Sequence, residues 1–364
     1  MIPTVQGHPL FTQALLTKFD ELLGIEPTGF LRSFFRKKTT TAKTISVVVR
    51  RGTEKVAVDI LRGTEGNRNE MKQHSMKIFQ PPYFREYFDA TDIDHYDIVF
   101  GAITTANNGV ITQAVQSAIN NIKVLKYKIE RALELQCAQV FNSGIVQLNT
   151  GDNIDYKRQA ASKPTTPSGE LWTVDTVEPG IILQDAATFI RTEGRTHSPI
   201  FNVIMGINAH NAFMNNPKVF EKGDLRRIDL VSIGMPQDMG EGAVFHGEYA
   251  YGSHKYLIWT YPQYYDNSEG VKTPYVPDDN IFVIPTQGTE FDLSFAGVPY
   301  LVNTGNVTMP QIINMKEGDY HIFSTIDDRA VKHEFGVSSA GLAVPVSVDM
   351  IYSTNVAGSG GGAG

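Results

Sequence analysis

Three groups of residues carry side chains that could do chemistry. Asp89, Asp92, Asp94, His95 and Asp97 form an acidic cluster whose oxygens a hard cation could use. Its spacing lacks the glycine of a sharp turn and the distal bidentate Glu of an EF-hand loop. A solvated turn or helix start accounts for it better. His246-Gly247-Glu248 and His254 fall on neighbouring expected strands, where two imidazoles and a carboxylate facing across a hairpin could hold a metal. Nine histidines are scattered along the chain, however, and such pairs usually bond to solvent or backbone. Ser338-Ser339-Ala340-Gly341 looks superficially like a nucleophile elbow, yet neither serine has glycines two residues to both sides. A metal-dependent hydrolase using Asp92, Asp94, His246 or His254 is the enzymatic alternative, and stoichiometric metal in the purified protein would revive it.

The basic residues offer a different chemistry. Arg32, Arg36, Lys37 and Lys38, followed by Lys43, Arg50 and Arg51, could touch phosphates. The formal net charge of −7 argues against a surface that grips nucleic acid. An arm pairing with acidic patches on a neighbouring subunit suits the run better. The one cysteine, Cys137, excludes a disulfide framework and a cysteine-rich zinc site, and it reads as a small buried apolar residue. The Gly-rich stretch 358–364 follows the last strand and opens no helix, so it is no phosphate loop; it reads as a flexible tail.

The elements that would position these groups are legible in outline. With 364 residues the chain exceeds the size at which one core stops growing, so two interleaved subdomains are expected. Apolar residues at 41% and charged residues at 20% exclude disorder for the bulk of it. No leader pattern and no apolar run near the ~20 residues of a membrane span are present, so a soluble protein of a reducing compartment is expected. Apolar positions Val115, Ala118, Ile122, Leu125, Ile129, Leu133, Cys137 and Val140 predict one helix over 111–143, stopped by Gly144 and long enough to be a strut. Its charges, Lys126, Glu130 and Glu134 among them, are expected mostly off the buried stripe.

Residues 1–45 hold a short amphipathic helix over about 9–23. Phe30-Leu31-Arg32-Ser33-Phe34-Phe35 then puts large apolar side chains where nothing local packs on them. This predicts an arm lying on another surface, of its own chain or of a neighbour. Strands Ile45–Arg50 and Lys55–Leu61 are expected to form a hairpin, with a polar loop over 63–72, inside a projecting excursion from 44 to 78. The Pro/Ser/Thr/Lys-rich stretch 157–169 reads as a subdomain boundary. Beyond it come a helix over 181–195, a strand over 201–207, a short helix over 209–215, and a β-rich block at 242–251, 254–261, 280–285 and 291–299. This alternation predicts a central sheet with helices on both faces. Val344–Tyr352 alternates apolar with small or polar residues and predicts a closing strand, in a protein tied together from both ends.

Taken in order, these segments resemble the lambda-type major capsid protein family, the protein E group of tailed phages. Thr28-Gly29-Phe30-Leu31-Arg32-Ser33-Phe34-Phe35 before the 45–61 strands is similar to that family's opening. The helix ending in Glu130-Arg131-Ala132-Leu133-Glu134 and Phe141-Asn142-Ser143-Gly144-Ile145 looks like its spine helix. Val344-Pro345-Val346-Ser347-Val348-Asp349 resembles its last strand. Between them, Trp259-Thr260-Tyr261, Tyr264-Tyr265-Asp266 and Phe282-Val283-Ile284-Pro285 fall at fitting places.

The resemblance implies an α+β protein of the Hong Kong 97 phage capsid fold. Its parts would be an N-terminal arm (1–43), an extended loop (44–78), a peripheral domain (79–177) on the spine helix 111–143, an axial domain with a central sheet (178–327), a return to the peripheral domain (328–357) and a flexible tail (358–364). It implies a virion subunit, assembled in the host cytoplasm, that builds hexamers and pentamers of itself around genomic DNA without sequence-specific contact. Further implied partners are a portal protein, optionally a decoration protein, and a separate scaffolding protein, since no fused charge-rich helical region is visible. Membranes, cofactors, metals and catalytic residues are not implied. Expected inter-subunit contacts are Phe30, Leu31, Phe34 and Phe35 in the arm, and Arg50, Arg51, Glu54, Lys55, Arg62 and Arg68 in the loop. Truncation before Thr39 is expected to abolish closed shells and leave the body folded. An encapsulin-like nanocompartment, a cargo-binding shell of the same fold, is the nearest alternative.

Overall fold

The computed structural model describes residues 29–48, 76–91, 108–148, 153–219, 231–238, 242–267, 269–302, 312–316, 318–327 and 332–358. The chain enters on strands β1 (Arg36–Thr39) and β2 (Ile45–Val48), comes back on β3 (Met76–Phe79) and continues along β4 (Phe84–Thr91). β2 pairs antiparallel with β3, which sets Val48 opposite Met76. The expected hairpin partner of this first strand, Lys55–Leu61, lies outside the described residues.

Helix α1 (Asn108–Asn142) is the expected strut, beginning slightly earlier than its apolar stripe suggested. Its 35 residues span about 52 Å at 1.5 Å each. Gly144, at φ +74°, ends it by giving its N–H to the Gln139 and Val140 carbonyls, in a conformation that a side chain would strain. The short hairpin β5 (Ile145–Gln147) and β6 (Asn153–Asp155) follows. The stretch 157–169 is less a boundary than a strap, held by buried hydrogen bonds from Arg158.

Helix α2 (Pro179–Thr192), strand β7 (Ile200–Met205) and helix α3 (Ile207–Asn215) open a larger unit. Strands β8 (Val231–Asp238), β9 (Val244–Tyr251) and β10 (His254–Thr260), the small hairpin β11 (Tyr264–Asp266) and β12 (Lys272–Pro274), and strand β13 (Asn280–Pro285) complete it. The last part holds β14 (Phe291–Phe295), β15 (Val298–Val302), β16 (Ile312–Lys316), β17 (His321–Asp327), β18 (Lys332–Ser339), β19 (Gly341–Pro345) and β20 (Tyr352–Asn355).

Pairing runs against sequence order. A six-stranded sheet has the order β20-β13-β7-β10-β9-β8, with β7 and β10 parallel. Both faces of its centre are covered, as an unbroken apolar strand demands. Phe282 and Ile284 of β13 point into one core with α1 and the arm, while Ile281 and Val283 point into a second core with α2 and α3. A three-stranded sheet, β1-β14-β19, takes one strand from each end of the described chain; another joins β17, β18 and β4.

Two sequence expectations are corrected here. The single closing strand 344–352 is two strands of different sheets, divided by a 3-10 turn at Val348–Met350. The division at residue 328 does not follow the pairing either: β17 and β18 join β4, and β20 joins the six-stranded sheet, so the stretch 328–357 is shared between both bodies.

Candidate functional site

The arm meets α1 at a buried carboxylate. Glu134, 3% exposed, accepts the backbone N–H of Leu31 at 2.8 Å and of Arg32 at 3.1 Å. The Arg32 guanidinium stands 3.4 Å from Glu134 and 3.8 Å from Glu130. Lys126, one turn earlier on the helix, pairs with Glu130 at 3.2 Å and lies over the Tyr320 ring. The two acids and two bases are nearly enclosed, which is tolerable because the charges cancel and are hydrogen-bonded.

Burial pushes the Glu134 carboxyl up, against the pull of the Leu31 N–H, Arg32 and the Tyr261 hydroxyl. Burial also works against the Arg32 charge, but Glu130 and Glu134 outweigh it and hold its pKa above the ordinary value. Lys126, Glu130 and Glu134 therefore do not lie off the buried stripe. Helical periodicity cannot register a charged face that another segment of the chain comes to neutralise.

Aromatic packing completes the joint. Phe30 stands 5.3 Å from Trp259 and 5.7 Å from Tyr261, ring centre to ring centre. Phe35 lies 5.2 Å from Phe141 on α1 and 5.5 Å from Phe291 on β14. Phe34 makes an edge-on contact with Phe141 at 6.0 Å. β1 then adds in parallel to β14, where Arg36 (3.4 Å) and Lys38 (2.6 Å) pair with Asp292, and Lys37 pairs with Asp319.

The arm thus lies on its own chain, one of the two surfaces the sequence allowed for it. Phe30, Leu31 and Phe35 are buried in their own chain's core, and Phe34 is half-buried against it. Arg32, Arg36, Lys37 and Lys38 pair with acids of their own chain. Arg50, Arg51, Glu54, Lys55, Arg62 and Arg68 lie outside the described residues.

A second joint was not visible in the sequence. Arg158, buried in the strap, donates to the carbonyls of Phe141 (2.7 Å) and Asn142 (3.1 Å), the last residues of α1. It also donates to the carbonyls of Ser162 (3.0 Å) and Ile351 (3.1 Å) and to the Ser353 hydroxyl (3.1 Å). Burial lowers its pKa to about 10, with Asp349 acting in the opposite sense. One guanidinium thus ties the end of the strut to β20. No motif marks it, since an arginine in a Pro/Ser-rich loop ordinarily reads as solvated.

The candidate chemical groups are not brought together. His254 faces Tyr251 at the turn of the β9–β10 hairpin. His246 lies toward the other end, 2.8 Å from the Thr260 hydroxyl, and its ring packs 4.0 Å from His210. Glu248 pairs with Lys255 instead of a histidine. Ser338 and Ser339 are buried within β18. Of the acidic cluster only Asp89 is placed, in β4; Asp92, Asp94, His95 and Asp97 lie outside the described residues. No three His, Cys, Asp or Glu side chains converge on a metal position among the described residues. No described helix is long and apolar enough to cross a membrane.

Residues 12–356 match the family model of phage major capsid protein E. No curated protein matches the chain in sequence. Among solved structures, the chain is similar to one described as the capsid protein of an Escherichia coli CFT073 prophage, with a TM-score of 0.62 at 14% identity, covering 95% of this chain and 99% of that one. A phage-related protein from Bordetella bronchiseptica RB50 gives a TM-score of 0.49 at 10% identity, covering 92% and 93%.

Proposed function

The chain belongs to the phage major capsid protein E family and has the Hong Kong 97 α+β fold of phage capsid subunits, and from that premise we propose how its parts build the shell. It is a structural subunit that oligomerises with itself and becomes part of the virion. The observation that carries this reading is the family match over residues 12–356.

The arm fixes the subunit's own body before any neighbour arrives, and the loop does the reaching. This is supported by the buried Glu134 joint and by the β2–β3 pairing, which sets Val48 opposite Met76. Arg50, Arg51, Glu54, Lys55, Arg62 and Arg68 supply its contacts with adjacent subunits. The six-stranded sheet with α2 and α3 serves as the axial domain, and α1 with the β4-β17-β18 sheet as the peripheral one. Hexamers and pentamers, a scaffolding protein, a portal protein and optionally a decoration protein complete the head, which assembles in the host cytoplasm. DNA is enclosed without sequence-specific contact; a net charge of −7 suits a wall that must not trap the genome.

Negative-stain electron microscopy of the purified protein, alone and with its scaffold, tests this. Closed, uniform shells are expected when scaffold is present. A monodisperse monomer under both conditions would overturn it, and shells that form unaided and take up a cargo peptide would favour a nanocompartment.

A further inference from the structure

The two ends of the six-stranded sheet carry opposite chemistry. β7 and β10 start at the same end, with Ile200 beside Lys255, next to the last turn of α2. A cleft of about 330 Å³ opens there, lined by Arg191, Arg195, His197 and His254 with threonines and no carboxylate. Neither arginine forms an ion pair among the described residues. His254 is 8% exposed, and its Nδ1 has no hydrogen-bond partner. Burial, then the charge of Arg191, holds its imidazole below the ordinary value. The cleft therefore holds two guanidinium groups that no carboxylate among the described residues neutralises.

The other end is its complement. β7 runs out through Gly206 into α3, and antiparallel β13 begins beside it, so a second cleft of about 420 Å³ lies one strand length away, some ~20 Å. Asp175, Asp279, Asn208, Asn211 and Asn215 line it, with no Lys, Arg or His. Just behind it, burial and then the neighbouring Asp279 raise the pKa of Asp278.

We propose that these two clefts dock on one another between copies of the chain, Asp175 and Asp279 of one subunit entering the Arg191–Arg195–His254 cleft of the next. This rests on the shell-building function above. Different surfaces at opposite ends make a head-to-tail contact, the kind that closes into rings. A self-assembling chain with excess negative charge has its own carboxylates as the nearest partner for an unpaired cationic cleft.

Charge reversal tests it in the full-length chain. Arg191→Glu with Arg195→Glu, or Asp175→Lys with Asp279→Lys, should each give at least tenfold fewer shells at low salt, while the unassembled subunit melts as the unmodified one does. All four substitutions in one chain restore the complement in every ring and should restore assembly. Reversal of either end without loss of shells overturns the proposal, as does a four-fold swap that rescues nothing. Loss of duplex DNA binding in the arginine variant with assembly intact would assign the cleft to phosphate and overturn it too. Failure of the unmodified chain to form shells, with or without scaffold, would sink the shell-building reading itself and this inference with it.

Discussion

Glu134 is a single side chain on which the arm depends. Glu134→Ala removes the acceptor of two backbone N–H groups and leaves Arg32 buried without its nearest counter-charge, so a loss of about 3–5 kcal/mol is expected in urea unfolding of the unassembled subunit. A loss under about 1 kcal/mol would show the joint to be incidental. The packed imidazoles carry a pH dependence. Burial, then His246, holds His210 down at about 4, and burial also lowers His246. Both groups bind protons more readily in the unfolded chain, so their contribution is full above about pH 6.5 and is lost as pH falls toward 4. His210→Gln should flatten the stability profile in that window, and an unchanged slope would place the acid sensitivity elsewhere. At this scale the sequence was legible only by type. Phe30, Leu31 and Phe35 were evidently apolar anchors, but the surface receiving them lies over a hundred residues away. Arg158 gave no signal, because its value comes from carbonyls that only the fold assembles.

Elements were easier to foresee where one period persists. The heptad-like stripe of α1 located the strut to within a few residues, and Asn280–Pro285 was found at its observed bounds. The closing strand was misjudged because alternation over 344–352 continues through a turn that switches sheets. Gly144→Ala tests how firmly the strut is stopped. The φ of +74° and the Arg158 side chain packed against the glycine should together cost about 1–3 kcal/mol. An unaltered melting temperature would mean that the helix end relaxes freely. The arm behaves as an element too. Deleting residues 29–39 strips Phe30, Leu31 and Phe35 from the core and β1 from its sheet, so loss of cooperative unfolding and of near-ultraviolet circular dichroism is expected. A folded, assembly-dead subunit, which the sequence led one to expect from truncation before Thr39, would show that the arm joint is dispensable for the body.

For the whole molecule, the expectation of a chain fastened from both ends describes the β1-β14-β19 sheet, in which β14 is held between a strand of the arm and a strand laid down some three hundred residues later. Length predicts more than one core, and the buried apolar residues form two clusters, but the sharing of strands between them depends on contacts remote in sequence. The placement of β19 and β20 has a consequence for synthesis on the ribosome. Both sheets that organise the body stay incomplete until residues 341–355 have left the exit tunnel, so a nascent chain halted before Tyr352 leaves the β13 edge and the Arg158 joint open. A product ending before Tyr352 is thus expected to be cleaved by protease faster than the full chain, and equal rates would show β20 to be dispensable for the fold.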